Sequence, residues 1–202
     1  MKRWMVIALF VSACGSSNNN NNNNGGSSGP GSISGTVGGQ PLNVKDAVYI
    51  LESNSVNLVV TDRENTCALL SGTTLPGPTN ALFVSVANFV PPNTLNPLVT
   101  GDYAFFDLAG PLPTSAGRYW YGGFETLDTS CKPTVTTPAT GGTVTVTQTG
   151  SVTPTATHFK ANLTGLHFGT DTLNGNIEAT YCAALVNPAC GAVIAQPPGA
   201  VE

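Results

Sequence analysis

Charge is scarce in this chain: of 202 residues, 7 are Lys or Arg and 11 are Asp or Glu, with two His, two Met and two Trp. Each scarcity excludes something. Proteins hold a nucleic-acid backbone by displacing counterions with clustered cations, whereas Lys45, Arg63, Arg118, Lys132 and Lys160 stand apart from one another. Nucleic acid is therefore not an expected partner. No apolar run approaches the ~20 residues a helix needs to cross a bilayer. The Gly-rich stretches "GPGS" and "GGTVT" lack the lysine and following helix of a phosphate loop. No G-x-S-x-G nucleophile elbow occurs. No twelve-residue window carries apolar residues at helical spacing, which argues against bundles and β-α alternation alike.

What is present starts at the N-terminus. Lys2 and Arg3 precede an apolar run, Trp4 to Val11, which has the length of a secretory h-region rather than a membrane span. The junction "VSAC" follows, an aliphatic residue and two small ones before Cys14. This junction resembles the lipobox of bacterial lipoproteins. The resemblance implies cleavage between Ala13 and Cys14, with acyl chains such as palmitate carried at Cys14. Several chains, at ~0.8 kcal/mol per buried methylene, would hold such a protein on a bilayer essentially permanently. Gly15, rather than Asp, follows the cysteine; by the family's sorting rule this favours the outer membrane.

Residues 15–32 contain seven consecutive asparagines, Asn18 to Asn24, flanked by Gly and Ser. Such a segment has nothing to bury and reads as a disordered tether. Roughly 17 residues of this kind reach about 20–25 Å. The expected organisation is a signal peptide over 1–13, a lipidated Cys and tether over 14–32, one domain over 33–190 and a flexible tail over 191–202. Loss of Lys2 and Arg3 with the signal leaves five basic against eleven acidic side chains.

Four cysteines remain after Cys14: Cys67, Cys131, Cys182 and Cys190. An even number in an exported chain implies two disulfides. The intervening spacings of 63, 50 and 7 residues lack the close C-x₂-C pairs of a zinc site. No metal or other cofactor is expected. Three connectivities are possible. The short loop "CAALVNPAC" favours Cys182–Cys190 with Cys67–Cys131, and the alternative is Cys67–Cys182 with Cys131–Cys190.

Threonine and valine recur in short runs punctuated by Gly, Pro and Asn, the signature of an all-β chain. Nine strands are expected, in "SISGTV", "DAVYILE", "VNLVVTD", "ALFVSVANFV", "VTGDYAFFDL", "RYWYGGFETLD", "GGTVTVTQTG", "TATHFKANLTG" and "LNGNIEATYC". The stretch "RENTCALLSGTTLPGPTN" reads as a long loop. The expected fold is an antiparallel β-sandwich. The opening "ISGTVGGQPLNVKDAVYI", through Gly35, Val37, Gly39, Pro41, Leu42, Ala47 and Tyr49, resembles the transthyretin-like, carboxypeptidase-regulatory β-sandwich modules. Those modules are shorter than this domain and do not match the later strands, so the likeness speaks only to fold class.

Candidate chemistry is thin. In "THFKANLTGLHFG" the apolar parity switches at Gly165, so a bulge there would keep one apolar face and leave His158 and His167 on the polar one. About nine residues apart on one strand, at ~3.3 Å each, they cannot share a metal. His167 lies near Asp171, but without a nucleophile elbow a hydrolytic triad is not expected. A carboxylate pair for glycoside cleavage would have to come from Asp102, Asp107, Glu125 and Asp128. The aromatic run "RYWYGGF" is the best binding candidate. Trp120 and Phe124 share one face of the strand and form the candidate ligand platform; Tyr119 and Tyr121 lie on the other. Filling the core is the competing role for these rings. The function expected is a lipid-anchored, non-enzymatic binding or structural module of the cell envelope, with a glycan or envelope protein as partner. The alternative is a carbohydrate-active envelope enzyme or a glycan-binding adhesin.

Overall fold

The computed structural model describes residues 29–52, 54–151, 157–186 and 188–190. The signal peptide, Cys14, most of the tether and the tail over 191–202 lie outside the described residues. Twelve strands occur among the described residues: β1 (Gly31–Val37), β2 (Gln40–Pro41), β3 (Asp46–Glu52), β4 (Ser55–Thr61), β5 (Thr79–Val90), β6 (Thr94–Asn96), β7 (Gly101–Phe105), β8 (Gly117–Leu127), β9 (Pro133–Pro138), β10 (Gly141–Thr149), β11 (Phe159–Phe168) and β12 (Asp171–Tyr181). One helix, α1 (Thr66–Ser71), and a 3₁₀ turn over Ala183–Val186 complete the elements. No helix among the described residues is long and apolar enough to cross a membrane.

The chain is all-β, but the sheet is not a sandwich. Its order β11-β10-β7-β8-β5-β4-β3-β12 is closed by a further pairing of β11 with β12, giving an eight-stranded barrel. The β7–β8 and β12–β3 pairings are parallel and the rest of the ring is antiparallel. Strands β1, β2, β6 and β9 are added outside the ring. Closure depends on bending the strands. Register shifts interrupt β10 at Gly141/Thr143 and Val146/Gln148, and β11 at Leu163/Leu166. Such bulges sharpen local twist and let a sheet curl on itself. At the β11 bulge Gly165 takes φ +57°, and its N–H donates to Asn174 Oδ1 at 2.7 Å. Phe159, Ala161, Leu163, Leu166 and Phe168 consequently all face the core.

An eight-stranded barrel is just wide enough for side chains to fill. Here Trp120, Tyr49, Tyr103, Phe124 and Phe159 occupy the interior among aliphatic residues from β3, β4, β5, β10, β11 and β12. Tyr49 sits at the β12–β3 seam, which only two residue pairs define. Its hydroxyl donates to the carbonyls of Ser151 (2.7 Å) or Thr157 (3.1 Å) and accepts the Ser151 N–H at 2.8 Å. The buried polar atom is thereby satisfied.

A second apolar cluster lies outside the barrel wall. The outward side chains Val48, Ile50, Val59 and Leu127 are covered by Leu70 and Leu75, by Leu185, and by the cystines. Part of the expected loop is thus the short helix α1. Asp46 Oδ2 accepts the Thr66 N–H at 2.7 Å at its start, and the Gly72 N–H returns to Leu69 O at its end. Six residues are too few to display a helical period.

Both disulfides form, with the connectivity Cys67–Cys182 and Cys131–Cys190. The favoured Cys182–Cys190 link is corrected. Cys182 follows β12 directly beside β3, donating its N–H to Tyr49 O at 2.8 Å, and α1 packs against that wall. The Cys190 N–H donates to Leu70 O at 3.2 Å, drawing Cys190 beneath α1 toward Cys131. Two disulfides belong to an oxidising, extracytoplasmic environment.

Candidate functional site

Strand β8 carries the aromatic run, and the barrel sorts its rings by parity. Trp120 and Phe124 face inward at 0% and 1% exposure. The Trp120 Nε1–H donates to Gly142 O at 3.0 Å, and Phe105 meets the indole edge-on at 5.3 Å. These two rings fill the core, and their faces are not accessible to a ligand. Tyr119 and Tyr121 point outward, where a groove runs along the wall.

The groove exists because β8 changes partners. One edge pairs with β5 throughout. The other edge pairs with β7 at Tyr119 and Trp120, then with β9 from Gly123 to Leu127. Between them the Phe106 N–H reaches Trp120 O at 2.8 Å and the Ala139 N–H reaches Gly122 O at 3.0 Å. The two chains then diverge and open a cleft of about 410 Å³ over Tyr121 and Gly122, walled by Phe105–Ala109 and Pro138–Thr140. That volume lies within the ~300–1,000 Å³ of small-molecule sites. A second cleft of about 450 Å³, lined by Asp102, Arg118, Tyr119 and Thr143 among others, lies at the start of β8. A small apolar slot of about 20 Å³, bordered by Phe89, Leu95, Phe106, Pro113, Tyr119 and Tyr121, shares Phe106 and Tyr121 with the first cleft and Tyr119 with the second.

The rings are held in place. Phe106 packs edge-on to Tyr119 at 6.2 Å, and the Tyr119 hydroxyl donates to Ser115 O at 3.3 Å. Tyr121 anchors a polar ladder across four strands: it hydrogen-bonds Ser85, whose Oγ donates to Asn57 Oδ1 at 2.7 Å, and Asn57 Nδ2 donates to Glu52 Oε2 at 3.1 Å. Ser85 and Asn57 are buried, so the ladder must remain paired. Burial pushes the Tyr121 phenol far above its ordinary range; the Ser85 bond opposes this and the Glu52 charge adds to it. The phenol stays protonated. At the groove's end Arg118 Nη1 donates to Thr100 O at 2.9 Å, and its Cζ lies 5.9 Å from the Tyr103 ring centre. Asp102 Oδ1 accepts from Thr145 Oγ1 at 2.7 Å.

The remaining candidates are scattered. His158 Nδ1 lies 2.6 Å from Glu178 Oε1, which Lys160 approaches through Oε2 at 3.0 Å. His167 Nδ1 lies 3.1 Å from Thr172 Oγ1. Both imidazoles are on the exposed outer face. Asp128 Oδ1 accepts the Ser130 and Lys132 N–H groups and holds its own turn. Asp107 Oδ1 accepts the Ala109 N–H at 2.9 Å. Asp102 stands level with Gly117, given the Ala104–Tyr119 register. Glu125 is therefore eight residues along β8, roughly 26 Å away at strand rise. Half-buried on the outer face, its carboxyl is raised above 4.5 by desolvation. Among the described residues no group of three His, Cys, Asp or Glu side chains could hold a metal ion.

Core filling, the competing role for Trp120 and Phe124, is the one they take; the groove lies instead over Tyr119 and Tyr121, beside the candidate carboxylate Asp107 and beside Phe106 and Leu108, which were not singled out from the sequence. A signal for them existed. "AFFDLAGPL" places apolar residues inside a Gly/Pro-punctuated connection, where Phe105 turns into the barrel and Phe106 out of it; Leu108 and Leu112 are exposed at 41% and 42%. Comparisons with family models, with curated proteins and with solved structures find no match to this chain.

Proposed function

We propose that this protein is a lipid-anchored envelope component whose disulfide-braced barrel presents a ligand-binding groove, without catalysis. The observation that carries the reading is the open, aromatic-lined cleft where β8 passes from β7 to β9. A buried polar ladder fixes its floor, and preorganised rings of this kind bind without paying for their own ordering. The lipobox-like "VSAC" and the tether behind it supply the anchor, and the disulfides agree with export. The outer membrane is the proposed site, through lipid on Cys14.

Replacing Cys14 with Ser tests the anchor. The variant is expected to leave the detergent-extractable membrane fraction and appear in the soluble envelope fraction. Retention in membranes would overturn the lipoprotein reading. Co-sedimentation of the released protein with isolated envelopes tests the groove. It is expected to occur and to be lost when Ala109, an exposed residue on the cleft wall, becomes Trp.

A further inference from the structure

The chemistry along the groove narrows its ligand, and this inference rests on the binding reading above. The two clefts meet across an aromatic strip: Phe106 lines the first, Tyr119 the second, and the two rings pack edge-on at 6.2 Å. The ends are polar: Asp107 and Thr140 at the β7–β9 divergence, Asp102 and Arg118 at the start of β8. Charge is mixed and sparse. A phosphate, sulfate or uronate at the first end would face Asp107 with no cation lining that cleft. A polyamine would meet Arg118 at the second. An acyl chain would strip water from both sets of polar groups and return no hydrogen bond.

An uncharged polyol chain satisfies the whole run. Its ring C–H faces lie on the aromatic strip, and each hydroxyl both donates and accepts. Hydroxyls can therefore meet the Asp107 carboxylate and Thr140 at one end, and the acceptor–donor pair of Asp102 and Arg118 at the other. We propose that the groove binds a neutral oligosaccharide long enough to span both clefts, so that more than one sugar ring is engaged.

The test uses the Cys14→Ser protein with its tether retained. It is screened on an array of neutral, acidic and amine-bearing glycans, then titrated with a neutral series of increasing length. Neutral glycans are expected to bind, more tightly as the chain lengthens beyond a monosaccharide. Tyr119→Ala is expected to weaken binding by roughly tenfold or more, as loss of an aromatic anchor does. Ala109→Trp should do the same by filling the cleft; it removes no packed atom, so a folding defect does not confound it. Preference for acidic or amine-bearing glycans, absence of neutral-glycan binding, or unchanged affinity in Ala109→Trp would overturn the inference. Groove-dependent co-sedimentation with envelopes but no neutral-glycan binding overturns the saccharide alone. Loss of both overturns the binding reading as well.

Discussion

The outer faces of β5 and β8 carry two apolar regions that differ in what covers them. Toward one end, Leu127 is buried and Phe83 half-buried in a cluster with α1, the 3₁₀ turn and two cystines. Toward the other, Phe89, Tyr119 and Tyr121 border a groove left open between Leu95, Phe106 and Pro113. The polar ladder of Tyr121, Ser85, Asn57 and Glu52 separates them. The same two strands therefore build a second core in one half and an open surface groove in the other. The difference is covalent. A six-residue helix buries too little to hold itself on a wall, and the disulfides close long loops that keep it there. The open half has no staple; Phe89 and Tyr121 are buried there by their neighbours, while Tyr119 and Phe106 stay half-exposed.

Removing the staple should have the largest effect. Cys67→Ala with Cys182→Ala opens a link of sequence separation 115, and a loop of that length is worth roughly 4–5 kcal/mol. The Cys131–Cys190 link, of separation 59, should cost about half a kcal/mol less by the same relation. Urea denaturation measures both. Losses well under ~1 kcal/mol would show that α1 docks without covalent help.

Trp120→Ala and Tyr119→Ala sharpen the contrast between neighbouring residues on opposite sides of one strand. The interior indole should cost about 3–5 kcal/mol. Tyr119, half-exposed on the groove, should cost under ~1.5 kcal/mol while reducing ligand binding. Comparable losses would place Tyr119 in the fold rather than in the site.

Tyr121→Phe breaks the divider and is expected to cost about 1–2 kcal/mol, because it leaves a buried hydrogen-bonding partner short. It also has a pH signature. Burial raises the Tyr121 phenol above its ordinary 10, as it does for Tyr49 and Tyr103. The unfolded chain ionises first, so stability is full below pH 10 and falls as pH climbs toward the folded value. The Phe variant should lose stability less steeply above pH 10. An unchanged alkaline slope would mean that Tyr121 is not shielded.

Glu125→Gln is the mildest probe. Desolvation holds its carboxyl above 4.5, so the unfolded state again ionises first and the native state is disfavoured as pH rises through that window. The Gln variant should show a small gain in denaturation midpoint at pH 7 and none at pH 3. A loss at pH 7 would reveal a stabilising partner for the carboxylate.

Much of the strand content was legible. The nine runs read from Val, Thr and aromatic alternation correspond to β1 and the eight staves of the barrel. The strands that escaped notice, β2, β6 and β9, have two, three and six residues, and β9 is bounded by Pro133 and Pro138, which read as breakers. The parity switch at Gly165 located the β11 bulge. The site was legible only in part. The run "RYWYGGF" lies on the strand that floors the groove, but alternation says which residues share a face and not which face is inside.

Local physics in the sequence determined the strands, their turns, the alternation along each and the presence of two disulfides, because a period of two and the conformational needs of Gly and Pro act over a few residues. Whether those strands form a sandwich or a barrel was decided only in three dimensions, since inward alternation is the same in both and closure depends on twist and bulges accumulated around the ring. The cystine connectivity was likewise tertiary: Cys67 meets Cys182 across 115 positions because β12 ends beside β3, under the wall on which α1 packs. The groove arises for the same reason, at the one point where β8 exchanges β7 for β9 and no single segment contains both walls.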